Sequence, residues 1–334
     1  MIYIAPFYLS ATLRTSSLNS RDSPAVIKAR VRAVGLSCVV CTVITVYILA
    51  IKGHATPGDV LRMFGVWPIS PLDIARVLAL VALLFVGPLY ESFVIDGDWR
   101  SWTISNIKEG LSANWVGYRN LVIAPASEEL VFRALIIPLY LLAKVSTTRI
   151  VFLTPLIFGI AHAHHLVDFL RSRTPEGHRS PPLPVWINGL LRTVFEFTYT
   201  SLFGFFAAFV FLRTGSLYAA IMAHSFCNWM GVPRLYGRVG QYDVHVHMHV
   251  TDMTPDVAQG KKDDALGSTV RVGNAQMQEA ADESEKATQM LQAGPQPLGI
   301  GWTILYYALI FGGAWGFYKQ LWPLTTSHNA LATF

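Results

Sequence analysis

Leu121-Val-Ile-Ala-Pro-Ala-Ser-Glu128-Glu129-Leu-Val-Phe-Arg133-Ala-Leu-Ile-Ile-Pro-Leu-Tyr-Leu-Leu142 is apolar almost throughout, yet it holds two adjacent carboxylates and a guanidinium. An apolar run of about 20 residues is what a helix needs to cross a ~30 Å hydrocarbon core. Each charged side chain placed near the bilayer centre costs roughly 2.5–3.5 kcal/mol on insertion scales. Three charges in six residues are tolerable only if they face a protein interior. The stretch therefore predicts a helix packed among other helices, with its charges turned inward.

The rest of the chain agrees. Of its 334 residues 52% are hydrophobic and 14% charged, against about 25% charged in soluble domains, and the mean hydropathy is +0.40. Apolar stretches recur at Val34–Ile51, Ile74–Tyr90, Leu121–Leu142, Ile150–Leu170, Phe195–Leu212, Ser216–Met230 and Trp302–Leu321. The fold class expected is all-α: a polytopic membrane helical bundle of about seven (roughly six to eight) transmembrane helices around a polar active-site cavity. Residues 1–33 form an N-terminal segment, 34–241 the core, 242–299 a polar and disordered insertion, and 300–334 a last span with its tail.

The net charge is +5, but the basic residues are scattered through loops and make no nucleic-acid stripe. Lys and Arg occur on both sets of loops, so charge gives no clean orientation. Cys38, Cys41 and Cys227 lie in apolar segments, and Cys38-x-x-Cys41 reads as helix packing. Met1–Leu13 has no signal-peptide pattern. Arg171–Pro184 is a basic, proline-rich loop. Within the insertion, Glu279–Leu291 has the pattern of a short surface helix. His245, His247 and His249 alternate there without a carboxylate or Cys to complete a metal site.

On a helix, residues four apart share a face, so Glu129 and Arg133 are stacked for an ion pair with the acid N-terminal. Glu128 diverges toward the Phe132 and Leu135 face and is left unpaired. A carboxylate without a partner in a low-dielectric site suits general acid or base work; an interhelical clamp is the structural alternative. Two other spans carry polar outliers. Phe158-Gly-Ile-Ala-His162-Ala-His164-His165 puts His162 and His165 on one face, and Ala220-Ile-Met-Ala-His224-Ser-Phe-Cys-Asn228 aligns His224 with Asn228. Carboxylate, imidazoles and amide together can activate water and stabilise an oxyanion. Ser127, Ser225 and Cys227 are weak nucleophile candidates. Zinc is the competing reading, because Glu/His sets bind it; but H-E-x-x-H is absent and Asn is a poor ligand, so no metal or other cofactor is expected.

Glu128-Glu129-x-x-x-Arg133, Phe158-x-x-x-His162 and His224-x-x-x-Asn228 resemble, in that order, the three signature motifs of the CPBP intramembrane protease superfamily. The flanks Arg119-Asn120-Leu-Val-Ile-Ala-Pro125, His162-Ala-His164-His165, Asn228-Trp-Met-Gly-Val-Pro-Arg234 and Arg21-Asp-Ser-Pro-Ala-Val-Ile-Lys28 resemble the type II CaaX prenyl endopeptidases, the Ras-converting enzymes of eukaryotes. The resemblance runs from about Arg21 to Arg238. It implies a multi-pass endoplasmic reticulum enzyme that removes the last three residues of farnesylated or geranylgeranylated CaaX proteins. Ras-like small GTPases and lipidated pheromone precursors are substrates of that kind. It further implies that Glu128 is the essential base, working with His162 on water; that His224 and Asn228 stabilise the oxyanion; and that Glu129, Arg133 and His165 support the site. A relative acting on non-prenylated peptides, and a non-catalytic scaffold, are the other readings. The chain departs from the family pattern in two places. Only Met1–Leu13 precedes the Arg21 region where members carry a further span, which bears on topology more than chemistry. The polar insertion has no counterpart and is assigned no function.

Overall fold

A computed structural model describes residues 3, 6, 13, 22–101, 103–106, 115–175, 177–240 and 298–333. The polar insertion up to residue 297, with His245, His247, His249 and Glu279–Leu291, lies outside them. Among the described residues the regular structure is entirely helical.

Helix α1 (Pro24–Gly53) starts where Ser23 accepts from the Val26 N–H and Pro24 supplies a preset backbone angle; it stops at His54, which takes up the left-handed conformation. A capping box between Thr56 and Asp59 starts the short α2 (Pro57–Met63). Helices α3 (Pro71–Leu84) and α4 (Val86–Tyr90) follow, the latter widening into a π turn over Glu91–Ile95. The charged stretch begins in α5 (Trp115–Tyr118), widens at Arg119–Ile123, resumes as α6 (Ala124–Glu129), widens again at Leu130–Leu135 and ends as α7 (Ile136–Leu142). Next come α8 (Thr147–Ala161), α9 (His164–Ser172), the long α10 (Leu183–Thr214), α11 (Leu217–Met230) and α12 (Ile300–Leu324).

The membrane character expected is present, with four to five candidate spans among the described residues. Among the described residues, four helices are long and apolar enough to cross a membrane: Pro24–Gly53, Thr147–Ser172, Leu183–Thr214 and Ile300–Leu324. The pair Pro71–Leu84 and Val86–Ile95, bent by 81°, has the length and apolarity of a broken span or a re-entrant loop. Helix α11 has 14 residues, about 21 Å at 1.5 Å per residue, short of a bilayer core. The 121–142 stretch is not one α-helix but alternates α and π turns. Both of its π stretches lie just ahead of a proline, Pro125 and Pro138. A proline ring clashes with the carbonyl four residues back, and a wider turn relieves that clash.

Large apolar side chains are exposed along the long helices: Leu36, Val39, Val43 and Tyr47 on α1, Leu191 and Val194 on α10, Phe311 and Trp315 on α12. Apolar surface on this scale needs covering, and lipid would cover it. The interior core gathers Val131, Phe132, Leu135 and Ile137 against Phe158, Ala208, Phe211 and Leu212. Small residues let α8 and α10 approach closely, as membrane helices often do. A Cβ added at Gly159 would lie 2.5 Å from Ser201 Oγ, and one at Gly204 would lie 2.6 Å from Pro155 Cβ. Helix α1 is fastened to α9 by Arg30 and Asp168 at 3.1 Å.

Candidate active site

The Glu129–Arg133 pair expected from helical spacing is formed, at 3.0 Å, with side-chain exposures of 0% and 1%. Burying such a pair is costly unless further partners satisfy it. Arg133 Nη2 donates to Gly204 O at 3.4 Å. Its guanidinium also stands 4.7 Å from the Phe158 ring centre and 5.9 Å from that of Phe203, where burial of the charge strengthens cation–π attraction.

His224 departs from the single-helix reading. Its Nδ1 donates to Glu129 Oε1 at 2.7 Å, and its Nε2 lies 3.8 Å from Glu128 Oε2. Glu128 is thus not isolated, and Glu129 serves two partners, a guanidinium and an imidazole, rather than one. Spacing along one helix could not show this, because His224 reaches in from α11. The carboxylates remain unequal: the Glu128 side chain is 17% exposed and that of Glu129 is sealed. Only Glu128 can meet a substrate.

His162 stands at the end of α8, where its Nδ1 donates to Phe158 O at 2.9 Å. A carbonyl can only accept, so in the neutral ring the lone pair sits on Nε2. Phe158 ties these parts together. It is 1% exposed and its ring centre lies 4.6 Å from that of His162, 6.4 Å from that of His224 and 5.0 Å from that of Phe132. Asn228 Nδ2 donates to Asn120 O at 2.9 Å, which anchors it to the turn before the glutamates. The His162 and His165 rings are 5.5 Å apart, but His165 Nδ1 is engaged by Glu196 of α10. Glu196 escaped the sequence reading, although a carboxylate between Phe195 and Phe197 is the same anomaly that singled out Glu128.

The weak nucleophile candidates have other partners. Ser127 Oγ donates to Ile123 O at 2.7 Å and meets the Tyr3 hydroxyl at 2.9 Å. Ser225 Oγ donates to Ile221 O at 3.0 Å. Among the described residues, no histidine is hydrogen-bonded to either hydroxyl, and Cys227 is a free thiol. Among the described residues, no three His, Cys, Asp or Glu side chains are grouped to hold a metal ion. The arrangement offers an accessible carboxylate, imidazoles held through one nitrogen and an anchored amide, which is chemistry for activating water rather than for forming a covalent intermediate.

Residues 110–230, which contain all of these groups, match the family described as Type II CAAX prenyl endopeptidase Rce1-like. The chain is 36% identical over 240 residues to the probable CAAX prenyl protease 2 of Schizosaccharomyces pombe, covering 72% of this chain and 80% of that protein. It is 35% identical over 235 residues to the CAAX prenyl protease 2 of Homo sapiens, covering 64% of each. Against the CAAX prenyl protease 2 of Saccharomyces cerevisiae the identity is 26% over 274 residues, covering 75% of this chain and 81% of that protein. No solved structure matches it.

Proposed function

The chain belongs to the type II CAAX prenyl endopeptidases and is a peptidase, and from that premise we propose that it removes the aaX tripeptide from farnesylated or geranylgeranylated CaaX proteins at the endoplasmic reticulum membrane. The observation that carries the mechanism is the placement of His224 between a sealed glutamate and an accessible one. Glu128, helped by the lone pair on His162 Nε2, takes a proton from water. The hydroxide attacks the carbonyl of the lipidated cysteine. Charge then develops on the carbonyl oxygen, where an Asn228 N–H and the Nε2–H of protonated His224 stabilise it. Glu128 returns the proton to the departing amine, and the C–N bond breaks. Glu129 and Arg133 hold His224 in place from behind, and the Glu196-bound His165 supports the His162 turn. No step passes through a metal.

Substrates in this reading are membrane-borne prenyl proteins of the Ras-like GTPase or pheromone-precursor kind. Each prenyl CH₂ taken from water favours an apolar site by about 0.8 kcal/mol, which suits a polar centre enclosed by membrane helices. The test uses the purified full-length protein and one C-a-a-X peptide, with and without its farnesyl group. Cleavage of the farnesylated peptide alone is expected. Equal cleavage of both would replace this reading with that of a protease for unmodified peptides, and cleavage of neither with that of a scaffold.

A further inference from the structure

The carbonyl of Asn120 is free for a partner outside its own helix, and two local features make it so. An α-turn would supply the Ala124 N–H, but in the wide turn Arg119–Ile123 that N–H bonds to Arg119 O. A π turn would supply the N–H of residue 125, which is Pro125 and has none. The released carbonyl accepts from Asn228 Nδ2 at 2.9 Å. Asn120 is itself steadied: its Oδ1 accepts from Arg119 Nε at 2.8 Å, and Arg119 Nη1 pairs with Asp22 at 2.8 Å.

A side-chain amide has two N–H donors and one acceptor oxygen, and unless something holds it the group can turn over. We propose that Pro125 is a positioning residue for the peptidase reaction: by withholding a backbone donor, it leaves Asn120 O to fix the Asn228 amide so that the second N–H faces the reacting carbonyl. The inference rests on the reading of Asn228 as an oxyanion donor. It also gives the wide turn a purpose, in keeping with the frequency of such turns at functional sites.

Pro125→Ala restores an N–H that competes for the Asn120 carbonyl. In full-length enzyme assayed with a farnesylated C-a-a-X peptide, kcat should fall about tenfold while KM stays within about twofold, as for an interaction made in the transition state. A proline kept only for its shape predicts unchanged turnover and an equal or higher melting temperature. The second readout is the ¹⁵N spectrum of asparagine-labelled enzyme, with the Asn228 signal assigned by its loss in Asn228→Ala. The wild type should show two inequivalent side-chain protons, one protected from exchange, and Pro125→Ala should lose the protected one. Wild-type kcat in a folded Pro125→Ala, or two Asn228 protons that exchange alike in the wild type, overturns the inference; the second measurement stands even if the variant does not fold. Full activity of Asn228→Ala instead sinks the oxyanion reading, and with it the purpose assigned to Pro125.

Discussion

His224 Nδ1 and Glu129 Oε1 meet at 2.7 Å across 95 residues of chain, joining α11 to the helix that carries the paired glutamates. The bond makes Glu129 the shared partner of a guanidinium and an imidazole, and it separates the duties of two carboxylates that are neighbours in sequence.

That separation is measurable in a pair of isosteric variants. Glu128→Gln should fold with a melting temperature close to wild type, while kcat/KM on a farnesylated peptide falls by about 10²-fold or more, the scale of losing a general base. Glu129→Gln leaves Arg133 buried without its counter-charge, which costs about 3–5 kcal/mol, so its melting temperature should fall well below that of Glu128→Gln. Equal melting temperatures would show that the two glutamates are not divided in this way.

Gly204 is where α10 touches both α8 and Arg133. Gly204→Ala places a Cβ 2.6 Å from Pro155 Cβ and 3.4 Å from Arg133 Nη2. Overpacking of this kind costs about 1–3 kcal/mol. Activity should drop along with stability, because the Gly204 carbonyl that Arg133 holds must move. Thermal denaturation read beside the peptide assay checks both effects.

Dialysis against a strong chelator should leave turnover intact, since each step is assigned to Glu128, His162, His224 or Asn228. Activity that is lost to the chelator and restored by one equivalent of zinc per chain would require a metal-based mechanism instead.

Away from the spans, the Thr56–Asp59 capping box gives a pH signature. Hydrogen bonds from the Thr56 hydroxyl and backbone N–H hold the Asp59 carboxyl below its ordinary value of 3.8. A carboxyl depressed by folding adds stability above its unfolded value, and that stability is lost as pH falls through the lower folded value. The α2 cap should therefore hold at pH 5–6 and weaken below about pH 3.8. In Thr56→Ala that acid-sensitive component of the melting temperature should be smaller.

How much of this was legible in advance depended on whether the interaction lay within one helix. The Glu129–Arg133 pair was legible because four-residue spacing alone brings the groups together. The bridge from His224 to both glutamates was not, since periodicity says nothing about which helix faces which. The anchor on Asn228 escaped because its partner is a main-chain carbonyl, released by a wide turn whose one mark in the sequence, Pro125, does not say which carbonyl is freed or what reaches it. Hydropathy also gave no span lengths: Ser216–Met230 is apolar enough for a span, but its helix stops after 14 residues, where Gly231 ends it.

The burial of Glu129 and Arg133, 0% and 1% exposed, has a practical corollary. Mobile ions screen charges they can approach, within about 8–10 Å at ordinary ionic strength, and here they have no approach. The pair is electrically insulated, so the brine of a purification buffer should leave its hold on His224 as firm as dilute cytosol does.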